Sequence, residues 1–216
     1  MTDAPLPPTR WAQGGARNTG YGSRFAELVA DGADVDGEAR LADTLVARGA
    51  RVLDAGSGMG RVGAALLDRG HRVVGAEPDP ALVEQSRRTY PRLAVVPREI
   101  LALHAEDLTA VGAPTAFDLI VCVGNVITFV AESTEVAVLV RLRELLAPGG
   151  RVLVGFHLRG GPATARAYRP EEFVADAAAA GLVVQHRFGG YDLRPVDEDY
   201  AVWVLAADGA GSPHPG

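Results

Sequence analysis

The chain contains no lysine: all 21 of its basic residues are arginine. Schiff-base chemistry and a lysine general base are thereby excluded. Cysteine is nearly absent too, with one residue, Cys122, in 216. No internal disulfide can form, and the position of Cys122 inside the apolar run from Leu119 to Val123 marks it as a core side chain, not a catalytic thiol. Long hydrophobic runs are missing. No stretch approaches the roughly 18 consecutive apolar residues of a membrane helix, and the opening MTDAPLPPTRW lacks an apolar run of signal-peptide length. The expected setting is cytoplasmic, with no membrane partner. Positive charge is in deficit, at a net −6, and no basic stripe runs along the chain, which argues against nucleic acid as a partner. The five histidines, His71, His104, His157, His186 and His214, never fall at the short spacings of a zinc site. No metal is expected.

What the chain does have is a glycine-rich turn in the right place. In residues 51–63, RVLDAGSGMGRVG, the short apolar run Val52-Leu53 reads as a buried parallel strand, which puts Asp54 at its carboxyl edge, facing a crevice. Gly56, Gly58 and Gly60 allow left-handed backbone and close approach of a ligand, and Ser57 is small enough for the same loop. The helix that follows offers unpaired N–H groups. From Gly58 to Gly63 the chain also reads G-x-G-x-x-G, the fingerprint of dinucleotide-binding dehydrogenases. Asp54 weighs against that reading, because a carboxylate repels a pyrophosphate and attracts an amine or a sulfonium. A second strand, His71 onward in HRVVGAEPDP, ends at Glu77, about 20 residues beyond the loop, the spacing of an acidic ribose ligand. Asp79 and Pro80 then read as the N-cap and first residue of a helix ending near Tyr90.

The string Asp54-x-Gly56-x-Gly58-x-Gly60 resembles motif I of class I S-adenosylmethionine-dependent methyltransferases. Later segments resemble that family's further motifs in order: AEDLTAVGAPTAFDLIVCVGN, from Ala105 to Asn125, and LRELLAPGGRVLVGFH, from Leu142 to His157. The likeness spans roughly residues 40–206. It implies S-adenosyl-L-methionine as cofactor, held by Asp54, Gly56, Ser57, Gly58 and Gly60, with Glu77, followed by Pro78, on the ribose hydroxyls. It further implies that Asp107 accepts the adenine amino group, that Leu108 packs on the ring, and that Gly124 lines the methionine end. Leading helices cover the cofactor in such proteins, so Tyr21 and Arg24 would reach the methionine carboxylate, with ordinary capping or packing as the alternative. Arg61 has two readings, the same carboxylate or solvent.

The implied fold is α/β, a seven-stranded, mostly parallel doubly wound sheet in the order 3-2-1-4-5-7-6. The residues themselves support its ending. LVVQHRF, from Leu182, and YAVWVLA, from Tyr200, are joined by GGYDLRPVDED, too short for a crossover helix, so the pair should run antiparallel. Helices are expected over 21–30 and 37–47, in the segment that ends at Pro148-Gly149-Gly150, and from Pro170 to Gly181. Organisation along the chain reads as a flexible leader over 1–19, one methyltransferase domain over 20–207 (leading helices to 48, core from 49), and a flexible tail over 208–216.

For the acceptor the residues leave more open. Methyl transfer mainly requires a nucleophile held in line, with a base if the acceptor carries a proton. His157, just past the fifth strand, is the best-placed histidine for that base and stands as the candidate catalytic residue, against a structural alternative. Asn125 lacks the two prolines that follow the corresponding residue in methyltransferases acting on amino groups of bases or glutamine, and it either orients a substrate or caps its loop. Arg159, Arg166 and Arg169 read as a solvated loop or as a receptor for an anionic small molecule. Tyr168, Tyr191 and Asp192 would roof an acceptor site or pack internally, Trp11 would fold over the cofactor or do nothing, and Trp203 belongs to the core. The leading expectation is a methyltransferase acting on oxygen, nitrogen or carbon of a small molecule. The alternatives are a non-catalytic module that binds the cofactor or its demethylated product, and a nicotinamide-dependent reductase.

Overall fold

Short apolar runs that end in an acidic residue or glycine alternate with amphipathic segments, and that alternation folds as a parallel sheet with crossover helices. The computed structural model describes residues 6–18, 20, 27–28 and 30–209. The strands are β1 (Arg51–Ala55), β2 (Arg72–Ala76), β3 (Ala94–Val96), β4 (Phe117–Cys122), β5 (Leu146–His157), β6 (Leu182–Phe188) and β7 (Tyr200–Ala207). They form one sheet in the order β3-β2-β1-β4-β5-β7-β6. Neighbours from β3 to β5 pair in parallel, and β7 runs antiparallel to both β5 and β6. The expected topology and closing hairpin are both present.

The helices are α1 (Arg10–Gly14), α2 (Gly37–Thr44), α3 (Arg61–Asp68), α4 (Pro80–Thr89), α5 (Ala105–Ala110), α6 (Val126–Phe129), α7 (Glu135–Glu144) and α8 (Pro170–Ala179). Their starts follow local chemistry. The Asp79 carboxylate accepts from the backbone N–H of Ala81 at 2.9 Å, with Pro80 at the first position of α4. Pro170 opens α8 with Glu171 and Glu172 in the first turn. No helix among the described residues is long and apolar enough to cross a membrane.

Helices on both faces bury the apolar side chains of the central strands. Leu53, Leu119, Ile120, Val121 and Cys122 have no exposed surface, and each large aliphatic side chain so buried contributes about 1.5–3 kcal/mol. Burial pushes the Cys122 thiol up to about 12, so it carries no thiolate. Strand order reverses between β2 and β4 on either side of β1, and the crevice at that switch point is where open α/β sheets bind ligands.

Three expectations need correction. The helix expected to run to Pro148-Gly149-Gly150 stops at Glu144, and β5 begins at Leu146. The chain is already committed to the sheet there: Phe117 N donates to Leu145 O at 2.9 Å, and the Pro-Gly-Gly turn is absorbed as an irregularity of the strand. A Cβ on Gly150 would lie 2.7 Å from Phe117 O. α2 ends at Thr44 rather than 47. The stretch before residue 20, expected to be flexible, carries α1, capped by Thr9 Oγ1 accepting from Ala12 N at 3.0 Å. Trp11 anchors it, donating Nε1–H to Asp79 Oδ2 at 2.8 Å and meeting Phe129 edge-on at 5.4 Å. Tyr21 and Arg24, and most of the helix expected around them, lie outside the described residues.

Candidate active site

The crevice is built from strand ends. Asp54 leaves β1 only 2% exposed, and its Oδ2 accepts from the backbone N–H of Gly63 at 2.8 Å. Glu77 leaves β2 6% exposed, accepting from Gly58 N and Asp79 N, both at 2.9 Å. Burial outweighs these hydrogen bonds and pushes both carboxyls up to about 7. Each oxygen still has a lone pair to offer. The loop between them is pinned back onto β2, since Gly56 N and Ser57 N both donate to Ala76 O at 2.8 and 3.0 Å.

That loop can only be glycine at its tight points. Gly56 has φ +75°, and an added Cβ would lie 2.5 Å from Val126 Cγ1; Gly60 has φ +87°, and its Cβ would lie 2.4 Å from Ser86 Oγ. Ser57 Oγ is buried with no hydrogen-bond partner among the described residues. Arg61 opens α3 and is drawn toward α2, pairing with Glu38 at 2.6 Å and bonding Val35 O.

Asp54, Ser57, Gly58, Glu77, Pro78 and Gly124 line one continuous cavity with Glu99 and Ile100, and Thr9 and Trp11 from the N-terminal segment complete the lining. Three carboxylates against one arginine make it an acidic pocket. It suits a ligand with a positive centre and hydrogen-bond donors, and it repels a pyrophosphate.

Two residues expected at the adenine end are elsewhere. Asp107 sits at the start of α5, where it accepts from His104 N at 3.0 Å and from Arg98 Nε at 2.9 Å. Leu108 is wholly buried in the core. Neither lines the cavity. Glu99, which precedes a 3₁₀ turn at Ile100–Ala102, and Ile100 itself do line it. The missed signal is positional: Glu99 follows the end of β3 much as Asp54 lies at the carboxyl end of β1 and Glu77 follows β2.

Just beyond the cavity wall at Gly124, Asn125 and His157 come together. Asn125 follows Gly124 in left-handed backbone, φ +74°, and its Oδ1 is 2.8 Å from His157 N and 3.0 Å from His157 Nδ1. His157 is an exposed residue; its ring meets Tyr200 edge-on at 4.8 Å and titrates below its usual range because of partial burial. Tyr191 and Tyr200 share a hydrogen bond of 3.0 Å between their hydroxyls. Burial first, then Tyr200, hold Tyr191 protonated, and a Cβ on Gly155 would collide with its hydroxyl.

The remaining acceptor candidates are engaged with the protein. Tyr168 is 1% exposed, donates its hydroxyl to Asp176 and stacks on Phe156 at 5.5 Å; it is a core residue, not an acceptor wall. Arg159 pairs with Glu198 at 2.6 Å on the surface, and Arg169 with Glu172 at 2.6 Å. Arg166 turns inward to the buried Glu135 at 3.0 Å, which also holds Arg10 at 2.9 Å. This bridge, unforeseen from sequence, ties α1 to the connection after β5.

Residues 52–150 match the family described as "Methyltransferase domain". Among solved structures, a TehB-like SAM-dependent methyltransferase from Corynebacterium glutamicum is 32% identical with a TM-score of 0.77, covering 89% of this chain and 99% of that one. The Burkholderia thailandensis 1,6-didemethyltoxoflavin-N1-methyltransferase, solved with 1,6-didemethyltoxoflavin and S-adenosylhomocysteine, shares the fold at 22% identity and a TM-score of 0.60, covering 96% of this chain and 93% of that one. A curated relative, ribosomal RNA small subunit methyltransferase A of Mycobacterium tuberculosis, is 44% identical over 79 residues, 33% of this chain; the match spans only 24% of that relative's length. The sheet order, the acidic crevice and a relative matched over nearly its whole length agree: the chain belongs to the class I S-adenosylmethionine-dependent methyltransferases and is an enzyme that uses S-adenosylmethionine as methyl donor.

Proposed function

We propose that this methyltransferase acts on a small organic acceptor that carries an O–H or N–H, and that His157 receives the acceptor's proton. When bound, S-adenosylmethionine supplies a methyl on a sulfonium, so that the new bond to carbon forms as the carbon–sulfur pair leaves with sulfur. The residues of the crevice fit that group. Asp54 and Glu77 are desolvated carboxylates that gain from a cation or from hydroxyl donors nearby, Ser57 Oγ is buried without a partner, and the glycine backbone leaves room. Asp54 and Gly124 would hold the methionine end, Glu77 the ribose, and Glu99 and Ile100 the adenine, beside Thr9 and Trp11.

The observation that carries the acceptor reading is the hydrogen bond between His157 and Asn125, one residue beyond the cavity wall at Gly124. A neutral imidazole there is a base near working pH. A small acceptor is favoured over RNA by the net charge of −6 and by the pairing of Arg159, Arg166 and Arg169 with carboxylates, which leaves these three cations committed within the protein. The Burkholderia enzyme acts on a small heterocycle, and the RNA-modifying relative matches only a third of this chain.

The test is a screen of phenols, amines and nitrogen heterocycles beside ribosomal RNA, read by release of S-adenosylhomocysteine. Turnover of a small compound, lowered on the order of 100-fold in kcat by His157→Gln with unchanged cofactor affinity, is the expected result. Methylation of RNA alone would overturn the proposal.

A further inference from the structure

We propose that Asn125 is a positioning residue that locks the His157 ring in the tautomer carrying its proton on Nδ1, so that Nε2 presents the lone pair. The inference deepens the acceptor reading above and rests on it for the use to which that lone pair is put. It starts from the sheet. β4 ends at Cys122, while β5 runs on to His157. Beyond the end of β4, Asn125 continues the ladder by one rung: its N–H donates to Gly155 O at 3.0 Å, and its side-chain oxygen accepts from His157 N at 2.8 Å.

That second bond settles which way the amide points. A backbone N–H is always a donor, so the Asn125 atom 2.8 Å away must be the carbonyl oxygen and not the NH₂ group. The same oxygen lies 3.0 Å from His157 Nδ1. An oxygen that can only accept requires a hydrogen on that ring nitrogen, which leaves Nε2, on the far side of the ring, without one in the neutral form. Tyr200, opposite His157 in the β5–β7 register, meets the ring edge-on at 4.8 Å and limits its rotation. His157 is an exposed residue, with Nε2 on the edge of the ring away from Asn125, and desolvation favours the neutral form. In the reaction the acceptor's O–H or N–H proton would go to the lone pair of Nε2, while the acceptor's own oxygen or nitrogen bonds to the methyl carbon and the carbon–sulfur pair leaves with sulfur. An imidazole in the other tautomer would present an N–H there and could not take it.

Asparagine suits this place on two counts. It tolerates the left-handed φ of +74° better than most residues with a side chain, and its amide supplies one oxygen to two donors. A purely structural role, extending the ladder, needs the backbone N–H contact alone. The tautomer separates the two.

The experiment is side-chain ¹H–¹⁵N NMR on the full chain with S-adenosylhomocysteine, the His157 signals being identified by their loss in His157→Gln. The expected spectrum has a protonated Nδ1 and an unprotonated Nε2 in the neutral ring. Asn125→Asp, which keeps an accepting oxygen, should retain it. Asn125→Gly, which is relaxed at this φ and removes the side chain, should release the ring toward the Nε2–H form usual for free imidazole. An Nε2–H ring in the wild type, or an unchanged tautomer in Asn125→Gly, overturns the proposal. With an acceptor in hand, Asn125→Gly should lower kcat about tenfold with KM nearly constant, and Asn125→Asp should recover most of it. The spectrum needs no turnover. If His157→Gln retained full activity while the wild-type ring showed Nδ1–H, the acceptor chemistry would fail and the tautomer assignment would stand.

Discussion

The crevice and the connection after β5 are built on opposite principles. In the crevice, Asp54 and Glu77 are buried carboxylates that accept from backbone N–H groups, and burial leaves both pushed up to about 7. In the connection after β5 the polar side chains satisfy one another: Arg166 with Glu135, Glu172 and Asp176, Arg159 with Glu198, Tyr168 with Asp176. The first arrangement is incomplete without a ligand that brings positive charge and hydrogen-bond donors. The second is complete in itself, save for the exposed His157 at the end of β5. Such a difference separates a site fixed by its cofactor from a surface free to vary with its acceptor.

The contrast breaks first at Asp54. A carboxyl near 7 in the folded protein, against an ordinary value of about 4 when unfolded, binds a proton in the native state that the unfolded chain has already lost. Its contribution to stability is therefore fully present below about pH 4 and is lost as pH rises through about 7. Asp54→Asn keeps the acceptor for Gly63 N–H and removes that loss. The ligand-free variant should gain on the order of 2 kcal/mol at pH 8 and little at pH 4, in melts at the two pH values. Calorimetric affinity for S-adenosylmethionine should fall on the order of 100-fold. A variant that binds normally would mean that the buried charge does not serve the ligand.

Glu135 is where the two regions touch. It is 3% exposed and bridges Arg10, next to the cavity-lining Thr9 and Trp11, to Arg166 in the connection after β5. Glu135→Gln leaves two partly buried arginines without their shared countercharge. Discounted for the exposure of both arginines, a loss of about 2 kcal/mol is expected in denaturant titration. Cofactor affinity should fall about fivefold, because Thr9 and Trp11 are then held less firmly in the cavity wall. Lost stability with undiminished affinity would uncouple α1 from the cofactor.

The crevice was legible in the sequence because its signals are local. Asp54 lies at the carboxyl end of one apolar strand and Glu77 follows another, Gly56 and Gly60 mark a loop with no room for a Cβ, and the short link between β6 and β7 forces an antiparallel pair. What stayed illegible depends on contacts distant in sequence. Trp11 reaches the cavity wall with Asp79 and Phe129 meeting it from other elements. Glu135 reads as an ordinary first-turn acid of α7 until Arg10 and Arg166 arrive from either side. Tyr168 and Arg159 look available in a loop-rich segment, yet one is core and the other is paired. α7 ends at Glu144, short of the local stop at Pro148, because sheet pairing at Phe117 already holds the chain there.

The finest division lies within the cofactor end, between two acids only eight positions apart. Asp107 fits the family pattern by its place before Leu108, but it caps α5 and pairs with Arg98, and Leu108 faces the core. Glu99 lines the cavity with Ile100, and burial raises its carboxyl above the usual range. A hydrogen bond from an adenine amino group to a partly solvated carboxylate is worth about 1 kcal/mol. Glu99→Gln, which keeps one accepting oxygen, should therefore weaken S-adenosylhomocysteine binding by about threefold, and Glu99→Ala by somewhat more. Asp107→Asn should leave affinity within about twofold and cost about 0.5–1 kcal/mol of stability through the weakened cap. Calorimetry and thermal melts on the same three variants decide it: if Asp107→Asn moved affinity while Glu99→Ala did not, the adenine would sit against α5 and the crevice would have to be redrawn around it.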